Sequence, residues 1–203
     1  FQNYSSTHLP LVNYQWPTME AAEIHSMSME FFTWPWMKKF FKEDTDKFKY
    51  KHIFGSLSFL PYGACVDHFQ HWVYENPEVS PNDRKKKWLE LESIYMPYRD
   101  YDGMVFIKDG GIWQGQLHIY QMPFYYIDYT LAQTCAFQFW IKNEKDNSSA
   151  WKDYLTLCKA GGSLSFVNLV ELAKLNSPFE DGCLEDVVKY VDRWLKGFDI
   201  TNI

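Results

Sequence analysis

Pro17-Thr18-Met19-Glu20-Ala21-Ala22-Glu23-Ile24-His25-Ser26-Met27-Ser28-Met29-Glu30-Phe31-Phe32-Thr33-Trp34-Pro35-Trp36 reads as a helix bracketed by prolines. Met19, Ala22, Met29, Phe32 and Trp36 fall at helical spacing. Pro35, which has no N–H and clashes with the preceding turn, should kink or end the run. Outward from this stretch the same punctuation recurs. A helical region is predicted over about 46–60, a break at Pro61-Tyr62-Gly63, and a further helix over about 64–74 that stops at Asn76-Pro77. Ser80-Pro81 supplies an N-cap followed by proline at the first helical position, leading a helix to about residue 95. Residues 97–111 carry Pro97, Gly103, Gly110 and Gly111 and read as irregular. A short helix near 112–119, a turn at Gln121-Met122-Pro123 and a long helix over about 124–142 follow. Asn147-Ser148 caps another, closed by Gly161-Gly162, and helices over 164–175 and 183–196 complete the series. Sustained alternation of the strand type is nearly absent. The expected fold class is therefore all-α, a multi-helix wall of something larger, with residues 1–203 forming one body that no linker or repeat divides.

Of the 203 residues 46% are hydrophobic and 19% aromatic, which is enough apolar surface to exclude disorder. Tyr and Trp put a polar tip into an apolar wall, which suits a cleft that binds peptide-like ligands and equally suits an aromatic-rich core. Net charge is -6, and the one basic run, Arg84-Lys85-Lys86-Lys87, leads into Trp88, Leu89 and Leu91 as a solvated helix face would. Nucleic acid is excluded as a partner on that balance. Cys65, Cys135, Cys158 and Cys183 are scattered through apolar helical contexts, the pattern of reduced, buried thiols in a cytoplasmic protein. No apolar run reaches membrane-spanning length, so no membrane partner is expected. Phe1-Gln2-Asn3-Tyr4 lacks an initiator Met and a signal-peptide pattern, and reads as a start inside a longer protein.

Three constellations could carry chemistry. On a helix, Glu23, Ser26, Met27 and Glu30 share one face, which sets two carboxylates among Met and Phe. A metal ion or cationic partner would offset the cost of burying them; a solvated helix edge has the same pattern. His118, followed by Tyr120 and then Tyr125, Tyr126 and Tyr129 across a Gln-Met-Pro turn, could aim several neutral donors at one point, as stabilising a tetrahedral oxyanion requires. A tyrosine-rich core helix would look the same. His68 and His71 share a helix face, but no third ligand stands near them in sequence, and they read as structural.

Glu23–Phe32, residues 115–129 and Lys159-Ala160-Gly161-Gly162-Ser163, in that order, resemble the C-terminal portion of M3-family oligoendopeptidases F. Asp67-His68-Phe69-Gln70-His71-Trp72 is similar to that family as well, so the resemblance spans nearly the whole chain. It implies a zinc endopeptidase acting on short oligopeptides. In that family an H-E-x-G-H helix supplies two zinc histidines and a glutamate general base, and a later helix supplies a glutamate as third ligand, leaving one position for water. No H-E-x-x-H occurs in this chain. Phe1-Gln2-Asn3-Tyr4 resembles the continuation of the helix that bears it, which places the motif upstream and makes the N-terminal part of the same enzyme the expected partner. By the resemblance Glu23 corresponds to the third zinc ligand and Glu30 to a supporting carboxylate. His118, Tyr126 and Tyr129 correspond to the residues that bind substrate and stabilise the oxyanion. The spacing from histidine to last tyrosine is one residue shorter than in the thimet-like branch, which keeps Tyr120 and Tyr125 as rivals for the same task and as substrate-binding residues. This chain alone is expected to be inactive. The competing reading is a helical module that holds a peptide or protein in its aromatic cleft without chemistry.

Overall fold

Polar caps and prolines set several of the helix ends. Thr18 precedes α2 (Met19–Phe32), which stops where Pro35 forces a 3-10 turn over Trp34–Trp36. Ser80 Oγ accepts the Asp83 N–H at 3.2 Å, satisfying one orphan donor at the head of α5 (Pro81–Tyr95), and Pro81 takes the first helical position. The computed structural model describes residues 1–199, and among them every regular element is helical. In chain order they are α1 (Gln2–Ser5), α2, α3 (Lys38–Phe41), α4 (Thr45–Glu75), α5, α6 (Leu117–Gln121), α7 (Tyr126–Lys145), α8 (Asn147–Ala160), α9 (Phe166–Leu172) and α10 (Cys183–Lys196), joined by short 3-10 and irregular turns.

Several boundaries differ from expectation. The stretch expected to be irregular over 97–111 ends in a helical turn over Ile107–Gly111, the short helix expected near 112–119 is a 3-10 turn over Ile112–Gly115 followed by α6, and α9 is shorter than expected. Three further differences have a visible cause. Pro61 does not break the chain: α4 runs unbroken through it. The proline forfeits one backbone bond, while Ile53, Leu60, Cys65, Val66 and Phe69 on either side are buried, and that burial outweighs the loss. Helix α7 begins at Tyr126, because Phe124 takes a left-handed conformation (φ 65°) and donates its N–H to Gln70 Oε1 at 2.9 Å. Asp146, one residue earlier than expected, caps α8 by accepting the Ser149 N–H at 3.1 Å.

The chain forms two compact units: residues 1–57 with the chain from Leu131 onward, and Ser58–Thr130. In the first, Ala21, Ile24 and Phe32 of α2 meet Phe139 of α7, Tyr154 and Leu157 of α8 and Leu169 of α9 in one core. Cys183, Val187 and Val191 bury one stripe of α10 at the four-residue spacing a packed helix face requires. Asp153 is enclosed (side chain 5% exposed) and bridges Lys142 at 2.7 Å and Lys174 at 2.9 Å. Helix α8 ends at Gly161, whose φ of 53° disfavours any residue with a Cβ. The Gly162 N–H donates to the Tyr14 carbonyl at 2.7 Å, and a Cβ at Gly162 would overlap the Trp16 carbonyl oxygen.

In the second unit, Cys65, Val66 and Phe69 of α4 pack with Trp88 and Leu91 of α5 and with Trp113. Phe69 and Trp88 meet edge to face, 5.3 Å apart at 87°. All four cysteines are free and buried, as read from the sequence; burial pushes the Cys65 thiol up to about 12 and the Cys158 thiol up to about 11. No described helix is long and apolar enough to cross a membrane.

Candidate functional site

The first group of candidate residues stands on α2. Glu23 is half-buried, and its Oε2 accepts the Ser26 hydroxyl at 2.8 Å, one turn along the same helix face. Glu30, a further seven residues on, reaches His52 of α4: Oε2 lies 2.8 Å from Nε2. The Trp34 indole N–H donates to His52 Nδ1 at 3.0 Å. An indole nitrogen can only donate, so Nδ1 must accept, and the proton on the neutral ring sits on Nε2, where it donates to Glu30. His25 turns away from this face into the core. Its ring packs edge to face on Tyr154 at 5.8 Å, and Nδ1 lies 3.5 Å from Cys158 Sγ. Burial lowers its pKa to about 4, which keeps the imidazole neutral.

The second group gathers where α6 meets the head of α7. Around the His118 ring stand Tyr126 at 5.1 Å, Tyr129 at 5.6 Å and Tyr125 at 6.0 Å, centroid to centroid. Tyr125 and Tyr129 are 4.8 Å apart, and Tyr126 and Tyr129 5.6 Å. Positions 125, 126 and 129 share this side because offsets of three and four return to one helix face. Burial raises the Tyr126 pKa, reinforced by Tyr129, so its phenol carries its proton at neutral pH. Behind the ring, Gln116 Nε2 lies 2.8 Å from His118 Nδ1, and the Tyr62 hydroxyl donates to Gln116 Oε1 at 2.9 Å. Tyr120, on α6 with His118, stacks instead on Trp113 at 6.0 Å and 24°, with more than half its surface exposed.

Of the predicted residues, Glu23 and Glu30 belong to the first unit and His118, Tyr120, Tyr125, Tyr126 and Tyr129 to the second. His68 Nδ1 faces the Tyr95 hydroxyl at 3.1 Å and His71 Nε2 faces Asp67 at 3.5 Å, so the two imidazoles have separate partners. Four participants escape a reading by motif: His52, Trp34, Gln116 and Tyr62. The first two are eighteen or more residues from the groups they join, and Tyr62 is 54 from its partner, too far for any local spacing rule. Gln116 stood two residues before a candidate histidine, the one signal that could have been followed. Among the described residues no three His, Cys, Asp or Glu side chains are grouped to hold a metal ion. A half-buried carboxylate held by a hydroxyl on a 14-residue helix has the chemistry of one oxygen arm of a zinc set.

The profile of peptidase family M3 matches residues 2–188. The fold superposes on the solved structure of Pz peptidase A with an inhibitor, with a TM-score of 0.94, 57% identity, and coverage of 98% of this chain and 35% of that one. A second structure, described as an oligoendopeptidase F, gives 0.94 and 56% with the same coverage. A third, described as an oligoendopeptidase F from Bacillus anthracis, gives 0.85 and 49%, covering 100% of this chain and 33% of that one. The chain thus spans about a third of the length of the structures it matches. No curated protein matches the sequence.

Proposed function

Because this chain belongs to peptidase family M3, we propose that the complete protein is a zinc endopeptidase that hydrolyses internal bonds of short oligopeptides, with this chain supplying one wall of its site. Glu23 serves as a zinc ligand, and the other ligands and the general base come from polypeptide outside this chain. When bound, zinc supplies Lewis-acid polarisation and a water of lowered pKa. The chain's own residues do the rest of the work assigned to it. His118, Tyr126 and Tyr129 offer neutral N–H and O–H donors to the carbonyl oxygen as it gains charge. A hydrogen bond to a developing oxyanion strengthens along the reaction, so such donors hold the transition state more tightly than the substrate. Tyr125, and Tyr120 from its stack on Trp113, provide faces for the peptide chain. Glu30, tied to His52, fixes the C-terminal turns of α2 and with them the direction of Glu23.

The observation that carries this reading is the convergence of three phenol rings on one imidazole within about 6 Å, inside a fold shared at 57% identity with a peptidase solved with an inhibitor. Zinc content and oligopeptide cleavage should be measured for the complete protein and its Glu23→Gln variant. Loss of zinc and of cleavage is expected; unchanged values for both remove Glu23 from the site. Oligopeptide binding by the complete protein with no cleavage at any zinc loading would favour the non-catalytic module.

A further inference from the structure

We propose that Gln116, itself set by Tyr62, is a positioning residue that holds His118 with its proton on Nε2. A neutral imidazole carries one N–H, and the nitrogen that bears it decides whether the ring offers a donor or a lone pair on its other side. The Gln116 amide nitrogen lies 2.8 Å from Nδ1, and an amide nitrogen only donates. Nδ1 therefore accepts, and Nε2 keeps the proton.

The direction of the amide is fixed one step further back. Tyr62 donates its O–H to Gln116 Oε1 at 2.9 Å. An amide turned the other way would set its N–H groups against the hydroxyl and its oxygen against Nδ1, drawing the proton there and taking from Tyr62 its acceptor. Tyr62 has little freedom to accommodate that. Its ring stands edge-on to Trp88 at 6.2 Å and to Tyr126 at 5.9 Å, and the Arg99 guanidinium lies 5.0 Å over its face. Burial pushes the phenol well above its ordinary pKa, so it stays a donor throughout the working pH range. Gln116 is itself anchored at the entrance to α6: its N–H donates to the Trp113 carbonyl at 3.0 Å and its own carbonyl accepts the Ile119 N–H at 3.1 Å. The order Tyr62, Gln116, His118 is thus a one-way series of donors that ends in an N–H on Nε2.

The consequence rests on the oxyanion role proposed above. A donor at Nε2 attracts a developing negative oxygen, whereas a lone pair at Nε2 repels it, so tautomer control belongs to the transition state more than to substrate binding.

The test uses the complete, zinc-loaded protein labelled with 15N-histidine, the His118 signal being identified by its loss in His118→Ala. The wild type should show Nε2 protonated and Nδ1 bare. Gln116→Glu, whose carboxylate can only accept, should move a proton onto Nδ1 and lower kcat by about 10²-fold with KM within about twofold. Gln116→Leu, which removes the donor without supplying an acceptor, should leave mixed tautomers and cost about tenfold in kcat. Tyr62→Phe should give a smaller shift in the same direction, and serves as the check if either Gln116 variant fails to fold. A protonated Nδ1 in the wild type overturns the proposal whatever the activity, as does a tautomer unchanged in Gln116→Glu and Tyr62→Phe. Normal kcat in His118→Ala would instead overturn the oxyanion role, with the tautomer still read separately.

Discussion

The polar groups on α2 and those at the junction of α6 and α7 are held by opposite means. On α2 the candidate groups are carboxylates: Glu23 is steadied by a hydroxyl on its own helix, and Glu30 by an imidazole that an indole N–H orients. At the α6–α7 junction the candidate groups are an imidazole and phenols whose rings pack on one another, with Gln116 and Tyr62 hydrogen-bonded behind His118. A carboxylate can be aimed by one or two hydrogen bonds because its charge makes each of them strong. A phenol that must keep its proton is served by packing, because burial raises its pKa, as it does at Tyr126. The difference teaches where disruption of the supporting contacts should be felt: as lost stability around Glu30 and His52 in the first region, and as lost rate in the second.

The strongest challenge to that division lies away from both candidate groups, at Asp153. Its carboxyl is pushed up by burial, but the ammonium groups of Lys142 and Lys174 outweigh this and hold it below the usual carboxylate range. Asp153→Ala leaves Lys142 with only the Ala173 and Lys174 carbonyls as acceptors, and should cost about 3 kcal/mol in a denaturant-unfolding measurement. Because the folded pKa is depressed, the stabilisation is present above the ordinary carboxylate pKa of about 4 and disappears as pH falls through the lower folded value. The gap between wild type and variant should therefore close in acid; a gap constant with pH would mean that packing, not charge, sets it.

Next in size, Tyr126→Phe and Tyr129→Phe should lower kcat of the complete enzyme by about 10²-fold, or about 2.7 kcal/mol of barrier, if each serves the oxyanion. Unfolding midpoints should barely move. Normal kcat in both variants, or a stability loss as large as that at Asp153, would erase the proposed contrast. His52→Ala should cost about 1–3 kcal/mol of stability, chiefly because the buried Trp34 N–H loses its acceptor. Glu30→Gln should cost under about 1 kcal/mol, since the Glu30 side chain is 59% exposed. Equal losses in the two variants would show that the hydrogen bond to Glu30, and not the one from the indole, is the important half of the chain. Of similar size, Ser80→Ala at the cap of α5 should cost about 1 kcal/mol in the same assay without touching activity.

Much of the fold was legible because helix ends obey local chemistry. The Ser80-Pro81 pair, the Pro35 stop and the Gly161 closure each depend on residues within one turn, and each stands where the sequence predicts. Pro61 was misleading for the complementary reason. The cost of a mid-helix proline is local and visible, whereas the burial that outweighs it comes from residues brought up by folding. The candidate site divides in the same way. His118 with Tyr125, Tyr126 and Tyr129 could be picked out because helix periodicity puts the phenols on one side, but Tyr120, two residues past His118, was not separable from them until Trp113 was seen to claim its ring. His52 and Tyr62 sit in α4 amid residues of similar kind, and only tertiary contact marks them.

At the end of α8 two adjacent residues lack side chains, and the carbonyls of Tyr14 and Trp16 rest where those side chains would be. Those carbonyls lie on the approach to α2, a few residues upstream of Glu23. The pair therefore works as a mechanical stop: it fixes how closely the approach to α2 can seat against the end of α8. Adding a single methyl group at position 162 should push that approach off the end of α8 and lower the unfolding midpoint, although no residue of α2 itself has changed.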